Sequence, residues 1–253
     1  MSKSYVIVPA RLASTRLARK LLLRDTGKTV LQHTYEAACR ATRPAGVLVA
    51  TDADEIVREV NAFGGRAVMT SLDCASGTDR VAEASAQLPA EIDILVNVQG
   101  DEPEIDPAAI DLVVALLEQN PTWSMATLGT PIRSRELLND PACVKVVFDA
   151  HGKAMYFSRS PIPHAREWRD ELLSAEPPHF FQHLGLYAYR REFLLRLAKL
   201  PPSRIEQLEK LEQLRVLEAG FAIGVGIVPA APRGIDTPAD YAAFVERRKQ
   251  NVE

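Results

Sequence analysis

Residues 94–105 read ILVNVQGDEPEI, a run of mostly apolar residues that ends in a glycine and two acids. Strands with this composition are usually buried on both faces, as in a parallel sheet covered by helices. Two further runs of the same kind lie upstream, at residues 5–8 and 47–50. The sequence therefore predicts a buried sheet with a polar loop after one of its strands.

Segments with helical spacing of their apolar residues separate these runs. They cover about residues 31–42, 54–63, 78–88 and 107–119. Strands that alternate with helices in this way are typical of an open, doubly wound, mostly parallel sheet with right-handed crossovers. The predicted fold class is therefore α/β. Ligands of such sheets bind at the carboxyl ends of the strands, so we expect the chemistry in the loops that follow them.

The middle of the chain has a different pattern. Residues 144–158 read VKVVFDAHGKAMYFS, which predicts a hairpin with its turn at 149–152. LGLYAY at 184–189 predicts another strand, and residues 164–182 predict an irregular excursion because they contain several prolines and charges. Further on, a strand at 223–228 leads to a helix that begins near Pro238. No domain boundary is evident in the pattern.

One helix is predicted between the excursion and the last strand. Ser203 and Glu206 have capping-box spacing, and Gly220 lies where a helix would end. The apolar residues with core spacing on this helix are Ile205, Leu208, Leu211, Leu214 and Leu217.

Composition excludes several classes of protein. The 253 residues have a net charge of -3 and a pI near 6.0, so no excess of positive charge exists to bind a nucleic acid. No run approaches the ~20 apolar residues of a membrane span, and the N-terminal apolar run is too short for a signal peptide. We therefore expect a cytoplasmic protein with neither nucleic acid nor membrane as a partner.

The loop after the first strand, residues 8–20, reads VPARLASTRLARK and contains no glycine. Its charged and hydroxyl-bearing residues are Arg11, Ser14, Thr15, Arg16, Arg19 and Lys20. Arginines present planar pairs of donors that suit phosphate oxygens, and a lysine adds a point charge. The composition favours a phosphate-binding loop, with a simple exposed basic loop as the alternative.

A second loop, SGTDRVAEA at residues 76–84, predicts the start of a helix. Ser76 and Asp79 have capping-box spacing, and Gly77 lets a ligand approach the backbone. The free amides of a helix N-terminus favour a ligand rich in acceptors. A plain capped helix explains the motif almost as well.

The acids after residue 98 predict a metal site. Two carboxylates at the end of a buried strand are costly to desolvate unless a cation is close. Mg²⁺ binds one or two carboxylates and completes its octahedron with water and substrate phosphates. Asp236, in RGIDTPADY at residues 233–241, would join Asp101 as the second ligand. Solvated turn residues are the alternative for each acid.

The middle of the chain holds further candidate residues in YFSRSPIPHAR, QHLGLYAY and LEKLEQLR. They are Arg159, Arg166, His183, Tyr187, Glu212 and Gln213. Pattern alone assigns none of them a function, because buried histidines and solvated glutamates are common.

Seven motifs in order resemble those of the 3-deoxy-manno-octulosonate cytidylyltransferase (CMP-Kdo synthetase) family, from about residue 5 to residue 245. They are P-A-R-x-x-S-T-R-x-x-x-K, S-G-T-D-R-V-A-E, V-N-V-Q-G-D-E-P, V-K-V-V-x-D-x-x-G-x-A-x-Y-F-S-R-x-P-I-P, H-x-G-x-Y-A-Y-R, L-E-x-L-E-Q-L-R and G-x-D-T-P. The resemblance implies a nucleotide-diphospho-sugar transferase-like fold. It also implies transfer of CMP from CTP to 3-deoxy-D-manno-octulosonate (Kdo), with Mg²⁺ as cofactor and pyrophosphate as the second product.

The resemblance also implies an organisation and a set of site residues. A single domain at 1–253 would contain a smaller β-rich portion, at about 140–220, that binds the sugar acid and forms a homodimer. The residues expected to bind the nucleotide are Arg11, Ser14, Arg16, Lys20, Ser76, Gly77, Gln99 and Asp101. Those expected to bind the sugar acid are Arg159, Arg166, His183, Tyr187, Glu212 and Gln213. Those expected to take part in catalysis are Lys20, Arg11, Asp101 and Asp236, of which the two aspartates would bind the metal.

The chain departs from the family at one place. It has Ala18-Arg19-Lys20 where the family usually has Pro-Gly-Lys, so the conformational freedom of a glycine is lost in this loop.

Three other functions remain open or are excluded at this point. One open alternative is a different substrate, either sialic acid or an 8-amino relative of Kdo. A second open alternative is a catalytically silent nucleotide-binding module. An oxidoreductase with a dinucleotide fold is excluded, because the G-x-G-x-x-G turn after the first strand is absent.

Overall fold

The structure of the protein, a computed structural model, describes residues 3–12, 16–74 and 76–250. The chain divides into two compact units. The first is made of Met1–Val114 and Pro232–Glu253, and the second of Ala115–Ala231. Whether a portion at about 140–220 binds a sugar acid and forms a dimer stays a prediction, because the bounds of a structural unit do not test it.

The first unit is built on a parallel sheet. Its strands are β1 (Lys3–Ala10), β2 (Pro44–Thr51), β3 (Ala67–Met69) and β4 (Ile92–Asn97). They lie in the order β3-β2-β1-β4, and each neighbouring pair is parallel. Its helices are α1 (Val30–Ala38), α2 (Asp54–Ala62), α3 (Gly77–Ser85), α9 (Pro238–Gln250) and α4 (Pro107–Gln119), which begins in this unit. The predicted succession of strands and helices is confirmed.

The three apolar runs form the centre of this sheet. Residues 6–8 of β1 and 94–96 of β4 are completely buried, as predicted for strands that are covered on both faces. In the parallel register Ile7 lies opposite Asn97, and the amide of Val98 donates to the carbonyl oxygen of Ile7 at 3.2 Å. The loops that follow β1 and β4 therefore begin side by side.

The second unit contains the remaining strands and four short helices. The strands are β5 (Met125–Pro131), β6 (Lys145–Phe148), β7 (Ala154–Ser158), β8 (Phe181–Arg190) and β9 (Ile223–Ile227). Strand β5 is antiparallel to β8 and parallel to β9, and β6 is antiparallel to β7 and β8. The helices are α5 (Arg135–Asn139), α6 (Arg191–Leu197), α7 (Arg204–Glu209) and α8 (Gln213–Glu218).

Two predictions for this unit are confirmed. The hairpin of β6 and β7 turns at Gly152, which has φ 82° and donates its amide to the carbonyl oxygen of Asp149 at 3.0 Å. The excursion is irregular up to the start of β8 at Phe181, apart from a 3-10 helix at Asp170–Leu173. Trp168 and Leu172 of the excursion pack against a small buried cluster that includes Leu138.

The prediction of one continuous helix from Ser203 to Gly220 is wrong. The Ser203 capping box is present, but α7 ends at Glu209, its C-cap Lys210 has a left-handed φ of 55°, and α8 begins at Gln213. Leu208, which lies in α7 before this break, is 83% exposed instead of lying in the core. An ion pair holds the two short helices together, with Nε of Arg215 donating to Glu206 at 2.7 Å.

No helix among the described residues combines the length and the apolar composition that crossing a membrane would require.

Candidate active site

The first unit brings together three charged residues that are far apart in the sequence. Lys20 follows β1, Asp101 follows β4, and Asp236 precedes α9. The ammonium group of Lys20 donates to the carboxylate of Asp101 and to Oδ1 of Asp236, the latter at 3.1 Å. Its third hydrogen bond goes to the carbonyl oxygen of Ile235 at 3.0 Å. Two carboxylates therefore converge on one cation.

The electrostatics of this cluster keep Lys20 charged. Burial is the largest single influence and lowers the pKa of Lys20, but the hydrogen bonds and charges of Asp101 and Asp236 together raise the pKa above its ordinary value. The lysine is therefore a permanent positive charge at neutral pH. Arg16 adds a second cation, because its Nη2 lies 2.9 Å from Oδ1 of Asp236.

Backbone contacts place Asp236 beside the end of β4. The amide of Ile235 donates to the carbonyl oxygen of Asp101 at 2.9 Å. Thr237 caps α9 by accepting from the amide of Asp240 at 3.2 Å. The carboxylate of Asp240 in turn accepts from the amides of Asp236 and Thr237, which holds the backbone at Asp236 in place.

The two acids after β4 have different environments. Asp101 is partly exposed and bonded to Lys20, whereas Glu102 is half-buried and its Oε2, which is buried, accepts no hydrogen bond from the described residues. Burial, together with the nearby charge of Asp101, raises the pKa of Glu102 to about 8. The carboxyl group of Glu102 is therefore mostly protonated at neutral pH.

The start of α3 meets the loop after β1. Nη2 of Arg11 donates to the carbonyl oxygen of Cys74, two residues before the helix cap. Ser76 and Asp79 form the predicted capping box, with the Ser76 hydroxyl accepting from the amide of Asp79 at 3.1 Å. A Cβ on Gly77 would only touch the ring of Pro9, at 3.6 Å. The fold itself therefore does not demand a glycine here, which leaves close approach of a ligand as a reason for it.

Gln99, which is predicted to bind the nucleotide, and its neighbour Gly100 follow β4. The side-chain amide of Gln99 makes no hydrogen bond within the described part of the chain, so it is free to bind a ligand. A Cβ on Gly100 would lie 3.3 Å from the carbonyl oxygen of Pro9 and 3.4 Å from Leu21. Close packing of the β4 loop on β1 is therefore one reason for this glycine. Ser14, predicted to bind the nucleotide, lies outside the described residues.

Arg19 adopts the conformation that a glycine would favour. Its φ is 54°, in the left-handed region, and it precedes the short 3-10 helix Lys20–Leu22. Its guanidinium forms an ion pair with Glu55 of α2. The left-handed conformation costs a non-glycine residue about 1–2 kcal/mol, and an exposed ion pair returns only about 0–1 kcal/mol. The loop thus keeps a glycine-type backbone although it has an arginine.

We predict that the backbone conformation at residue 19, rather than the arginine side chain, maintains Lys20. Arg19→Gly should keep kcat and the KM for the expected nucleotide within about threefold of the wild type, because glycine adopts the same φ freely. Arg19→Val should lower kcat by about 10-fold, because a β-branched residue resists positive φ and misplaces Lys20. Steady-state kinetics of both variants, with Glu55→Gln as the control for the ion pair, would check this. Equal kinetics of the glycine and valine variants would contradict it.

Three of the predicted sugar-acid residues meet in the second unit. Nε2 of His183 lies 3.0 Å from Oγ1 of Thr127, and Nδ1 lies 3.5 Å from the side-chain nitrogen of Gln213. The hydroxyl of Tyr187 donates to Oε1 of Gln213 at 3.4 Å. His183 and Gln213 are buried, whereas Glu212, at the start of α8, is exposed.

The two predicted arginines differ in their surroundings. Arg159 is half-buried and bonded to backbone carbonyl oxygens, the nearest 2.7 Å away, at Glu209. Arg166 is exposed in the excursion, and the structure gives it no hydrogen bond within the described ranges. Glu209 and the buried Lys145 both contact Arg159 but are not among the predicted site residues. A lysine between valines in a predicted strand was the one available signal.

The protonation of His183 gives a prediction about stability. Burial lowers the pKa of His183 from its ordinary value of 6.5 to about 3. The unfolded chain therefore binds a proton at His183 between pH 6.5 and pH 3 that the folded chain does not. The free energy of unfolding should consequently fall as pH drops through this range, by at most about 1.4 kcal/mol per pH unit for one proton.

His183→Gln should make this pH dependence shallower, as measured by urea unfolding at several pH values between 6.5 and 4. Some slope should remain, because burial also lowers the pKa of His33, to about 4. His151→Gln in the exposed hairpin turn is the matched control. An unchanged slope in the His183 variant would contradict the prediction.

The fold and the charged cluster define an α/β protein whose strand ends carry groups suited to phosphates and a cation. Residues 5–223 match the family model described as cytidylyltransferase. The chain therefore belongs to the cytidylyltransferase family.

Two similar proteins and one solved structure bear on the activity. The 3-deoxy-manno-octulosonate cytidylyltransferase of Rhodopirellula baltica is 54% identical, over 97% of this chain and 98% of that protein. The 8-amino-3,8-dideoxy-manno-octulosonate cytidylyltransferase of Shewanella piezotolerans is 47% identical, over 93% of this chain and 94% of that protein. A structure of CMP:2-keto-3-deoxy-manno-octonic acid synthetase complexed with CTP is 41% identical, with a TM-score of 0.90 over 99% of this chain and 100% of that chain. The predicted family, enzyme class and fold class are confirmed.

Proposed function

We propose that this protein transfers CMP from CTP to the anomeric hydroxyl of Kdo and releases pyrophosphate. The observation that carries the proposal is the cluster in which Lys20 contacts both Asp101 and Asp236, in a chain of the cytidylyltransferase family. Such a cluster has the charges needed to bind a triphosphate and a cation. The names of the Rhodopirellula relative and of the CTP-bound synthetase support Kdo and CTP as the substrates. An enzyme of this kind would supply activated Kdo for lipopolysaccharide in the cytoplasm.

The nucleotide would bind to the loops after β1 and β4. Arg11, Arg16 and Lys20 would bind the triphosphate, because guanidinium and ammonium groups suit phosphate oxygens. Ser14 would add a hydroxyl donor from the same loop. The cytidine would bind to Ser76, Gly77 and Gln99. The free side-chain amide of Gln99 supports this assignment.

The donor set of the cluster fits a divalent metal ion, and we propose Mg²⁺. Oxygens of Asp101 and Asp236 already converge on one positive charge, that of Lys20. Mg²⁺ takes one or two carboxylates and fills its other positions with water and phosphate oxygens. Among the described residues no three His, Cys, Asp or Glu side chains gather around one point, as a fully protein-bound ion would require. When bound, Mg²⁺ would polarise phosphate oxygens and lower the pKa of a coordinated hydroxyl.

The chemistry would be an in-line displacement at the α-phosphorus of CTP. The anomeric oxygen of the sugar acid forms the new P–O bond as the bond to the β-phosphate breaks. Lys20 and Arg11 would stabilise the charge that grows on the α-phosphate and on the departing pyrophosphate. Asp101 and Asp236 hold Lys20 in place before the nucleotide binds, so its charge is already oriented.

The sugar acid would bind to the second unit. An arginine, Arg159 or Arg166, would hold its carboxylate through paired hydrogen bonds. Tyr187, Glu212 and Gln213 would bind its hydroxyl groups. The buried His183 would act with them, and its contact with Gln213 orients that amide.

The proposed functional protein is a homodimer, as the family resemblance implies. The side chain of Leu208, exposed on the second unit, is one apolar group that a partner chain would cover. Sedimentation of the purified protein would test this directly.

A second candidate substrate is the 8-amino relative of Kdo. The similarity to the Shewanella enzyme, which is named for that substrate, favours considering it. The two sugar acids differ only at the tail, so the phosphate and metal residues would serve both. One contact near the sugar tail would decide between them.

Pyrophosphate release tests the proposal. Purified protein would be assayed with each of the four nucleoside triphosphates, with Kdo or its 8-amino relative, and with Mg²⁺ or a chelator. Release that needs CTP, Kdo and the metal together is the expected result. If pyrophosphate is released with the 8-amino sugar acid but not with Kdo, the 8-amino sugar acid is the substrate. Folded protein that releases no pyrophosphate under any combination would overturn the proposed reaction.

A further inference from the structure

Glu209, the last residue of α7, makes three hydrogen bonds to the segment at the end of β7. Its Oε1 accepts from the hydroxyl of Ser158 at 2.7 Å, and its Oε2 accepts from the amide of Arg159 at 3.0 Å. Its carbonyl oxygen accepts from Nε of Arg159 at 2.7 Å. Glu209 therefore holds both the backbone and the side chain of Arg159.

Other contacts restrain Arg159 from its remaining sides. Nη1 of Arg159 donates to the carbonyl oxygen of Pro141 at 2.9 Å. Lys145, which is completely buried, donates to the carbonyl oxygen of Arg159 at 2.6 Å. The main-chain amide, the main-chain carbonyl and two of the guanidinium nitrogens of Arg159 thus all have partners. Only Nη2 has none within the described part of the chain.

The partners of the Arg159 guanidinium are neutral. Both are backbone carbonyl oxygens, and no carboxylate in the described ranges forms an ion pair with this arginine. Glu209 directs its negative charge to the backbone amide and to Ser158 instead of to the guanidinium. The positive charge of Arg159 is therefore fixed in position but not neutralised, as an anion-binding arginine requires.

We propose that Glu209 is a positioning residue, which orients Arg159 to bind the carboxylate of the sugar acid. This inference rests on the proposed function and selects Arg159 over Arg166 as the carboxylate ligand. An arginine that is already ordered loses little side-chain entropy on binding, so its orientation contributes to affinity for the sugar acid. The exposed Arg166, without a restraining partner in the described residues, lacks this advantage.

Kinetics of two Glu209 variants test the proposal. Glu209→Ala removes both side-chain contacts and should raise the KM for the sugar acid about 10-fold or more, with the KM for CTP within about twofold of the wild type. Glu209→Gln should recover most of this loss, because its amide oxygen can accept from the Arg159 amide while its nitrogen donates to the Ser158 hydroxyl. In a double-mutant cycle, Arg159→Ala and Glu209→Ala should have effects that do not add, because both act through one guanidinium.

Glu206→Ala is the matched control on the same helix. Glu206 pairs with Arg215 and has no contact with Arg159, so its loss should lower Tm without a selective rise in the KM for the sugar acid. If the role of Glu209 were purely structural, Glu209→Ala would likewise lower Tm without a selective rise in the KM for the sugar acid. Parallel changes in both KM values, additive effects with Arg159→Ala, or no recovery in Glu209→Gln would each overturn the proposal.

The wild-type assay separates this proposal from the proposed function. Wild-type protein that uses CTP with a different sugar acid would overturn Kdo as the substrate. The KM of the Glu209 variants for that sugar acid, relative to the wild-type KM, would still decide the role of Glu209. Wild-type protein with no release that depends on a sugar acid would overturn both.

Discussion

Asp101→Asn is expected to lower kcat by ~10²-fold or more, on the scale of losing one electrostatic catalytic group. The amide has the size of the carboxylate but no charge, so it cannot serve as an anionic ligand for the metal or hold the charge of Lys20. The side chain is partly exposed beside Lys20, so the fold should survive the change. The measurement is kcat at saturating Mg²⁺ and CTP, with circular dichroism to confirm folding.

The adjacent acid provides a matched control. Glu102→Gln makes the same change of carboxyl to amide one residue away, at a group whose raised pKa of about 8 keeps it protonated at neutral pH. We therefore expect Glu102→Gln to keep most of its activity at pH 7. Near-normal turnover of Asp101→Asn would contradict the assignment of Asp101 as a metal ligand.

Lys20→Ala is expected to lower kcat by about 10²- to 10³-fold, because it removes a charge aimed at the phosphates. The KM for the sugar acid should stay within about threefold, since Lys20 would bind the nucleotide rather than the sugar. Removing the lysine also leaves Asp101 and Asp236 without the ammonium group that both now contact. Steady-state kinetics in which each substrate is varied would separate these effects.

Lys28→Ala is the control for loss of a lysine in the same unit. Lys28 forms an exposed ion pair with Glu36 of α1, and such pairs contribute at most about 1 kcal/mol to stability. The activity of Lys28→Ala should match that of the wild type. A pure rise in the KM for the sugar acid in Lys20→Ala, with kcat unchanged, would contradict the role of Lys20.

Local patterns predicted most of the fold. The completely buried residues of β1 and β4 are the apolar runs of the sequence, because a strand covered on both faces has no polar positions to alternate with. The capping boxes at Ser76 and Ser203 are also local, since the two bonded partners are three residues apart. Signals of this kind need no knowledge of the rest of the chain.

The sequence pattern gives a wrong prediction where contacts with distant parts of the chain override the local preference for a helix. The spacing from Ser203 to Gly220 is helical, but Lys210 is left-handed and divides the segment into α7 and α8. Glu209, directly before the break, bonds to Ser158 and Arg159 from a different part of the chain. Spacing along one helix cannot reveal such partners.

The sequence by itself determined the α/β class, the family and which residue types could bind phosphates and a metal ion, because these depend on composition and local order. Only the tertiary structure decided that Lys20 lies between Asp101 and Asp236, since parallel strands bring separate loops to one edge of the sheet. It also decided that the pKa of Glu102 is raised to about 8, because the fold desolvates this carboxyl group next to the charge of Asp101. The pKa of a carboxyl group depends on how deeply the fold buries it and on which cation the fold places beside it.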